Sequence, residues 1–165
     1  MKVYPYECSL GTLFLAAAGG RLCQVYLNRE SVPKEAEIWD GSPEMGSKPK
    51  IIRRAISQLD EYFLGMRRKF DLPLEMEGTE FQKQVWEETG RIPYGETISY
   101  GELSERLTGD KKAARAVGSA VGKNPIPVIV PCHRVVGSDG SLTGFEGGLD
   151  MKAQMLAFEW LNKEK

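Results

Sequence analysis

Asn124-Pro-Ile-Pro-Val-Ile-Val-Pro-Cys-His-Arg-Val-Val136 is the stretch that decides how the chain folds and works. Within it the β-branched run Val128, Ile129, Val130 stops at Pro131, and Cys132 and His133, the sole histidine of the chain, follow at once. Such apolar runs read as buried strands, and proline sits at strand ends because it has no N–H to give a ladder. The expectation is a strand over 128–130 with Cys132 at its mouth, held by rigid backbone. On an extended chain neighbouring side chains point to opposite faces, so His133 reaches the thiol only through a turn or a bridging water. A cysteine reacts as its thiolate, so a working thiol here needs such a base. The pair alone reads first as a buried, inert cysteine, since most buried cysteines are unreactive.

Upstream lie three helix signals. Thr79-Glu-Phe-Gln82 fits a capping box, with Phe81, Val85 and Trp86 on one face behind it. Ser99-Tyr-Gly-Glu102 fits a second, with Leu103 and Leu107 turned inward. Thr108-Gly-Asp110 is a tight turn, with Asp110 placed to cap a third helix over 111–122. Two short helices joined by a glycine turn make a helix-turn-helix candidate. In the third helix Ala113, Val117, Ala120 and Val121 recur at core spacing. The opposite face carries Arg115, Gly118, Ser119 and Gly122. Each interior glycine costs a helix about 1 kcal/mol against alanine. A bare face with one arginine suits a minor groove better than a major groove, which is read by long side chains; tight packing within the protein would also explain it.

Downstream, Glu159 lies among Met155, Leu156, Phe158 and Trp160. A carboxylate in that apolar setting could fix the tautomer of a histidine; an exposed glutamate on the helix edge is the other reading.

The rest of the chain sets bounds. With 165 residues it can bury a core as one domain or two small ones. A formal net charge of −1 removes any whole-chain signal for a polyanion, so a basic footprint must be local. It is: Lys111, Lys112, Arg115, Lys123 and Arg134 occur over 111–134 without one acid, whereas Glu30, Glu35, Glu37, Asp40 and Glu44 oppose only Lys34. Three cysteines without CxxC, and one histidine, make neither a disulfide framework nor a zinc set, so no metal is expected. A free working thiol favours a reducing compartment. Residues 10–18 are apolar but interrupted, and Gly19-Gly20 leads into an alternating run, so a β-hairpin is expected rather than a leader, in a cytoplasmic protein with no membrane span. The N-terminal half reads as that hairpin over 1–30, a loop over 31–50, a helix from Ile52 to Gly65 and a further strand over 70–76. The expected domains are 1–76 and 77–165.

The stretch 124–136 closely resembles the active-site signature of the O6-alkylguanine-DNA alkyltransferases. The resemblance extends through Ile92-Pro-Tyr-Gly-Glu-Thr-Ile-Ser-Tyr100 and Lys112-Ala-Ala-Arg-Ala-Val-Gly118 to Glu159, and continues weakly into the hairpin. It implies an α+β protein: a small ribonuclease-H-like α/β unit, then a mainly helical, winged-helix-like domain with a helix-turn-helix. It implies single-turnover transfer of an alkyl group from O6 of guanine in double-stranded DNA to Cys132, without cofactor, by a monomer. His133 would act through a water, Glu159 would orient His133, Asn124 would brace the turn and Tyr100 would donate to N3 of the base. The carbonyls of Cys132 and Val135 would read the exocyclic amine. Val121, Pro127, Val135, Leu142, Glu146 and Gly147 would line the pocket. Ala114, Arg115, Gly118, Ser119, Lys123 and Arg134 would meet DNA, with Arg115 filling the gap left by the flipped base. Glu146 departs from the small polar residue or arginine of relatives, and the N-terminal zinc histidines of some relatives are missing. A non-catalytic lesion binder and an alkylation-sensing DNA-binding protein stay open as alternatives.

Overall fold

The β2–β3 hairpin forms because Gly19 and Gly20 both take positive φ, +59° and +79°, the geometry a two-residue hairpin turn requires. In this computed structural model, which describes residues 1–41, 48–142 and 148–164, the chain divides into two compact units, Met1–Met76 and Glu77–Lys165.

The first unit is a four-stranded sheet, β1 (Lys2–Cys8), β2 (Gly11–Ala18), β3 (Arg21–Tyr26) and β4 (Glu37–Ile38), in the order β3-β2-β1-β4. One helix, α1 (Lys50–Phe63), packs against β1, β2 and β3. β2 is buried on both faces, which explains its unbroken apolar run. Phe14 and Ala16 pack with Val3 and Val32, and with Ala36 and Ile38, while Leu13 and Leu15 alternate to the other side. Residues 31–50 are therefore not simply a loop: β4 pairs parallel to β1 through Lys2↔Glu37 and Val3↔Ile38, and the apolar residues before it cover the sheet. Nor do residues 70–76 form a strand. Only Leu74 bridges Leu22, held by Leu22 N–H to Pro73 O and Glu75 N–H to Leu22 O, both 2.9 Å, because a proline cannot donate to a ladder.

The second unit packs α2 (Glu80–Thr89), α3 (Tyr100–Thr108) and α4 (Ala114–Gly122) against one another. Both capping boxes form: Thr79 with Gln82 and Ser99 with Glu102 exchange side-chain and backbone bonds. Trp86 donates its indole N–H to Ala120 O at 2.8 Å, locking α2 on α4. Gly109 ends α3 at φ +89°. The third helix starts later than expected, with Ala113 as its cap, because the Asp110 carboxylate closes its own turn onto Lys112 N at 2.7 Å. Ser104 Oγ accepts from Ala113 N and sets the entry to α4 instead. Two short strands, β5 (Ile98–Ser99) and β6 (Val135–Val136), pair in parallel, and α5 (Leu149–Asn162) closes the chain. The β5–β6 pairing sets the first residue of α3, Tyr100, beside the end of the Cys132 stretch. Among the described residues no helix is long and apolar enough to cross a membrane.

Candidate active site

Three prolines and Asn124 decide the backbone of residues 124–136. Asn124, 4% exposed, donates its amide to Val130 O and accepts from Ile126 N, each at 2.9 Å. These bonds satisfy buried backbone groups that a strand would have given to a neighbour, so the expected strand over 128–130 does not form. Val130 N–H turns back to Ile126 O instead. Val128 takes φ +72°, alone among the described non-glycine residues, a strained conformation for a β-branched side chain. At Pro131, φ −80° and ψ +64° with Cys132 N–H bonded to Val130 O at 2.8 Å make an inverse γ-turn. Cys132 therefore begins not at a strand mouth but in one 3-10 turn, Cys132–Arg134, closed by Val135 N–H on Cys132 O.

That turn presents three consecutive buried side chains. Cys132 is 7% exposed. His133 is fully buried, with Nε2 at 2.7 Å from Glu159 Oε2. Arg134 grips the same carboxylate in a fork, Nε to Oε1 at 2.8 Å and Nη2 to Oε2 at 3.0 Å, and gives Nη1 to Ile92 O at 2.6 Å. Gly95 N–H adds a bond to Glu159 Oε1 at 3.3 Å, and the guanidinium lies 5.6 Å from the Tyr94 ring centroid. The loop after α2 is thereby fastened to α5. Gly95, at φ +77°, is required there: a Cβ would come within 2.8 Å of Lys163 Cβ.

The electrostatics follow from burial and pairing. Burial alone would raise the Glu159 carboxyl, but the hydrogen bonds from His133 and Arg134 outweigh it and hold the acid well below the usual carboxylate range. Burial pushes His133 below its ordinary value, against the opposing pull of Glu159. The imidazole is then neutral, Nε2–H donates to the carboxylate, and Nδ1 carries the lone pair. Nδ1 is the one buried side-chain polar atom without a hydrogen-bond partner among the described residues. A buried acceptor left open beside a cysteine is a base with a proton to collect.

α5 supplies this site through an unusual inward stripe, Lys152, Met155 and Glu159, while Leu149, Trp160 and Leu161 lie exposed. Lys152 is 1% exposed and donates Nζ to Val135 O at 2.7 Å. Its Nζ is 5.9 Å from the Tyr100 ring centroid.

Known proteins resemble the chain along its length. Residues 1–76 match "6-O-methylguanine DNA methyltransferase, ribonuclease-like domain", and residues 80–160 match the "DNA binding domain" of the same family. A methylated-DNA–protein-cysteine methyltransferase of Methanosarcina acetivorans is 44% identical over 154 residues, covering 93% of this chain and 95% of that one. The constitutive methylated-DNA–protein-cysteine methyltransferase of Bacillus subtilis is 40% identical over 161 residues, 96% of each. A crystal structure of Mycobacterium tuberculosis OGT in complex with DNA superposes with a TM-score of 0.85 at 37% identity, covering 98% of this chain and 94% of that one. The chain belongs to the 6-O-methylguanine DNA methyltransferase family.

Within this methyltransferase fold the structure brings Cys132, His133, Glu159 and Asn124 into one buried cluster and sets half-buried Tyr100 beside Lys152 at its edge. Val121, Pro127 and Val135 are buried, and Leu142 is half-buried. Glu146 and Gly147 fall outside the described residues. Of the expected DNA-facing set, Arg115, Ser119 and Lys123 are exposed, and Ala114 and Gly118 are half-buried. Gly118 faces the Tyr100 ring, where a Cβ would sit 3.5 Å from Cδ1, so packing accounts for part of the bare face. Arg134 is a correction. It is 5% exposed, and its charge is consumed by Glu159, because a buried carboxylate needs a counter-ion more than a surface needs one further cation. Lys152 is the site residue that sequence reasoning does not single out. Its only signal is its position, seven residues before Glu159 and hence on the same face of α5.

Proposed function

We propose that this chain repairs alkylated DNA directly, moving the alkyl group from O6 of guanine in double-stranded DNA to Cys132. The observation that carries the reading is the His133 ring: one nitrogen is held by Glu159, and the other is a buried open acceptor one residue from a buried thiol. DNA binds through the exposed face of α4, with Arg115 entering the space of the extruded nucleotide. Extrusion costs roughly a few kcal/mol, least where pairing is already damaged, which supplies part of the selectivity.

In the transfer, the S–H proton passes to His133 Nδ1, through a water where the two do not touch. The sulfur lone pair then forms the S–C bond as the C–O6 bond breaks, and the released electron pair stays on the guanine. Tyr100 neutralises that charge by donating its phenolic proton to N3, and solvent restores it. Glu159, kept anionic by Arg134, balances the transient imidazolium. Asn124 keeps the turn in place, and Val121, Pro127, Val135 and Leu142 wall the base. The carbonyl of Cys132 already accepts from Val135 N–H, and that of Val135 from Lys152, so reading the exocyclic amine uses the second lone pair of each. A thioether has no route to hydrolysis, so each molecule acts once, as a monomer, and the free thiol suits the reducing cytoplasm. A non-catalytic lesion binder needs no base and carboxylate behind a cysteine, so the His133–Glu159 pair favours transfer over that reading.

The test is incubation with duplex DNA containing O6-methylguanine, followed by mass spectrometry of the digested protein. One methyl group is expected per molecule, on the peptide holding Cys132, and none with Cys132→Ala. Repeated turnover, or transfer by Cys132→Ala, overturns the proposal.

A further inference from the structure

One buried charge stands outside that scheme. Lys152 is 1% exposed, and its ammonium donates to a neutral carbonyl, Val135 O at 2.7 Å. Burying an ammonium is costly unless negative charge compensates it. Among the described residues the one buried carboxylate is Glu159, two turns further along α5, and it receives His133 and Arg134 on its two oxygens. What lies beside Lys152 is the reacting turn itself, where negative charge develops whenever the thiol ionises. Val135, whose carbonyl holds the ammonium, closes that turn through its own N–H on Cys132 O. Tyr100, from α3, presents its ring at 5.9 Å.

We propose that Lys152 is a positioning residue that serves as the counter-ion of the Cys132 thiolate, anchored by Val135 O so that its charge stands by the sulfur as the thiol proton leaves. The proposal deepens the alkyl-transfer reading and rests on it. The charges around Lys152 are consistent with this role. Burial pushes its ammonium below the usual lysine value, and the Cys132 thiolate pushes it back up. The same ammonium opposes a proton on His133, as Arg134 does, while Glu159 favours one. A cation so placed favours negative sulfur and discourages a resting imidazolium, leaving Nδ1 open to receive the next proton. Lys152 keeps its own proton throughout, and no bond to it forms or breaks.

The experiment needs no DNA. The rate at which iodoacetamide alkylates Cys132 in the intact chain is followed by peptide mass spectrometry from about pH 5 to about pH 10, which spans ordinary thiol ionisation. The wild-type midpoint is expected at least about one unit below the free-thiol value of about 8.5. Lys152→Met removes charge and anchor; Lys152→Gln keeps a donor for Val135 O and removes only the charge. Both are expected to move the midpoint up by about one unit or more, with folding checked by circular dichroism. A wild-type midpoint at the ordinary value overturns the proposal without any variant. So does a Lys152→Gln profile that matches wild type, which would make the lysine an anchor alone. Methyl transfer from DNA by the wild type is scored separately, so failure of the counter-ion and failure of the repair reading are told apart.

Discussion

Arg134 is 5% exposed with both oxygens of Glu159 on its guanidinium, whereas Arg115 stands on the open face of α4. In the sequence the two look alike: each belongs to the basic run 111–134, and charge alone points both toward DNA. Glu159 is legible because an acid amid apolar neighbours needs a reason, but the same logic does not reveal that Arg134 is that reason. The arginines therefore predict opposite phenotypes. Arg134→Ala leaves a buried carboxylate without its counter-ion, a loss of about 3–5 kcal/mol in denaturant unfolding. It should impair alkyl transfer from duplex DNA and from free O6-methylguanine alike. Arg115→Ala is expected to change stability by less than about 0.5 kcal/mol, as exposed substitutions do. It should slow transfer from duplex DNA far more than from the free base. The salt dependence of duplex affinity should weaken for Arg115→Ala and hold for Arg134→Ala. An Arg134→Ala protein of wild-type stability with weakened duplex binding would return Arg134 to the DNA-facing surface.

Among the elements, those coded by local rules are readable in the sequence and those coded by tertiary context are not. Both capping boxes form as the Thr79–Gln82 and Ser99–Glu102 spacings require, and the two glycines turn the β2–β3 hairpin. β4 is hidden because two residues paired in parallel to β1 leave no alternation to detect. α5 looks weakly amphipathic because two of its three buried residues are charged, Lys152 and Glu159. The stretch before Cys132 carries the apolar signature of a strand, but Asn124 substitutes for the missing ladder, joining Ile126 N to Val130 O through its own amide. Asn124→Ala leaves both buried backbone groups without that amide, at about 1–3 kcal/mol each. The expected result is a loss of about 2 kcal/mol or more in stability, with a slower iodoacetamide reaction at Cys132 as the γ-turn at Pro131 relaxes. A change below about 0.5 kcal/mol would mean that another group closes this turn.

For the molecule as a whole, the asymmetry of charge along the sequence survives as chemistry: the acids of 30–40 fall in the first unit, and the network of buried ions in the second. That network makes stability depend on pH in a direction fixed by its shifts. His133 is held below its ordinary value by burial, so below about pH 6.5 the unfolded chain binds a proton that the folded chain refuses. Glu159 is held below the carboxylate range, because hydrogen bonds from His133 and Arg134 outweigh its burial, so the same imbalance opens again below about pH 4.3. Both terms are stabilising at neutral pH and are lost as pH falls. Since the chain contains one histidine, the upper window belongs to His133. In a Cys132→Ala background, which removes the thiol's own titration, the melting temperature should fall from about pH 7 to about pH 5. The limiting slope is about 1.4 kcal/mol per pH unit for one proton. Adding His133→Gln should flatten that window and leave the steeper decline below about pH 4.3 in place, because Arg134 still holds Glu159 ionised. A melting temperature that stays level from about pH 7 to about pH 5 with His133 present would mean that the imidazole titrates equally in both states, and the neutral base at Nδ1 would lose its footing.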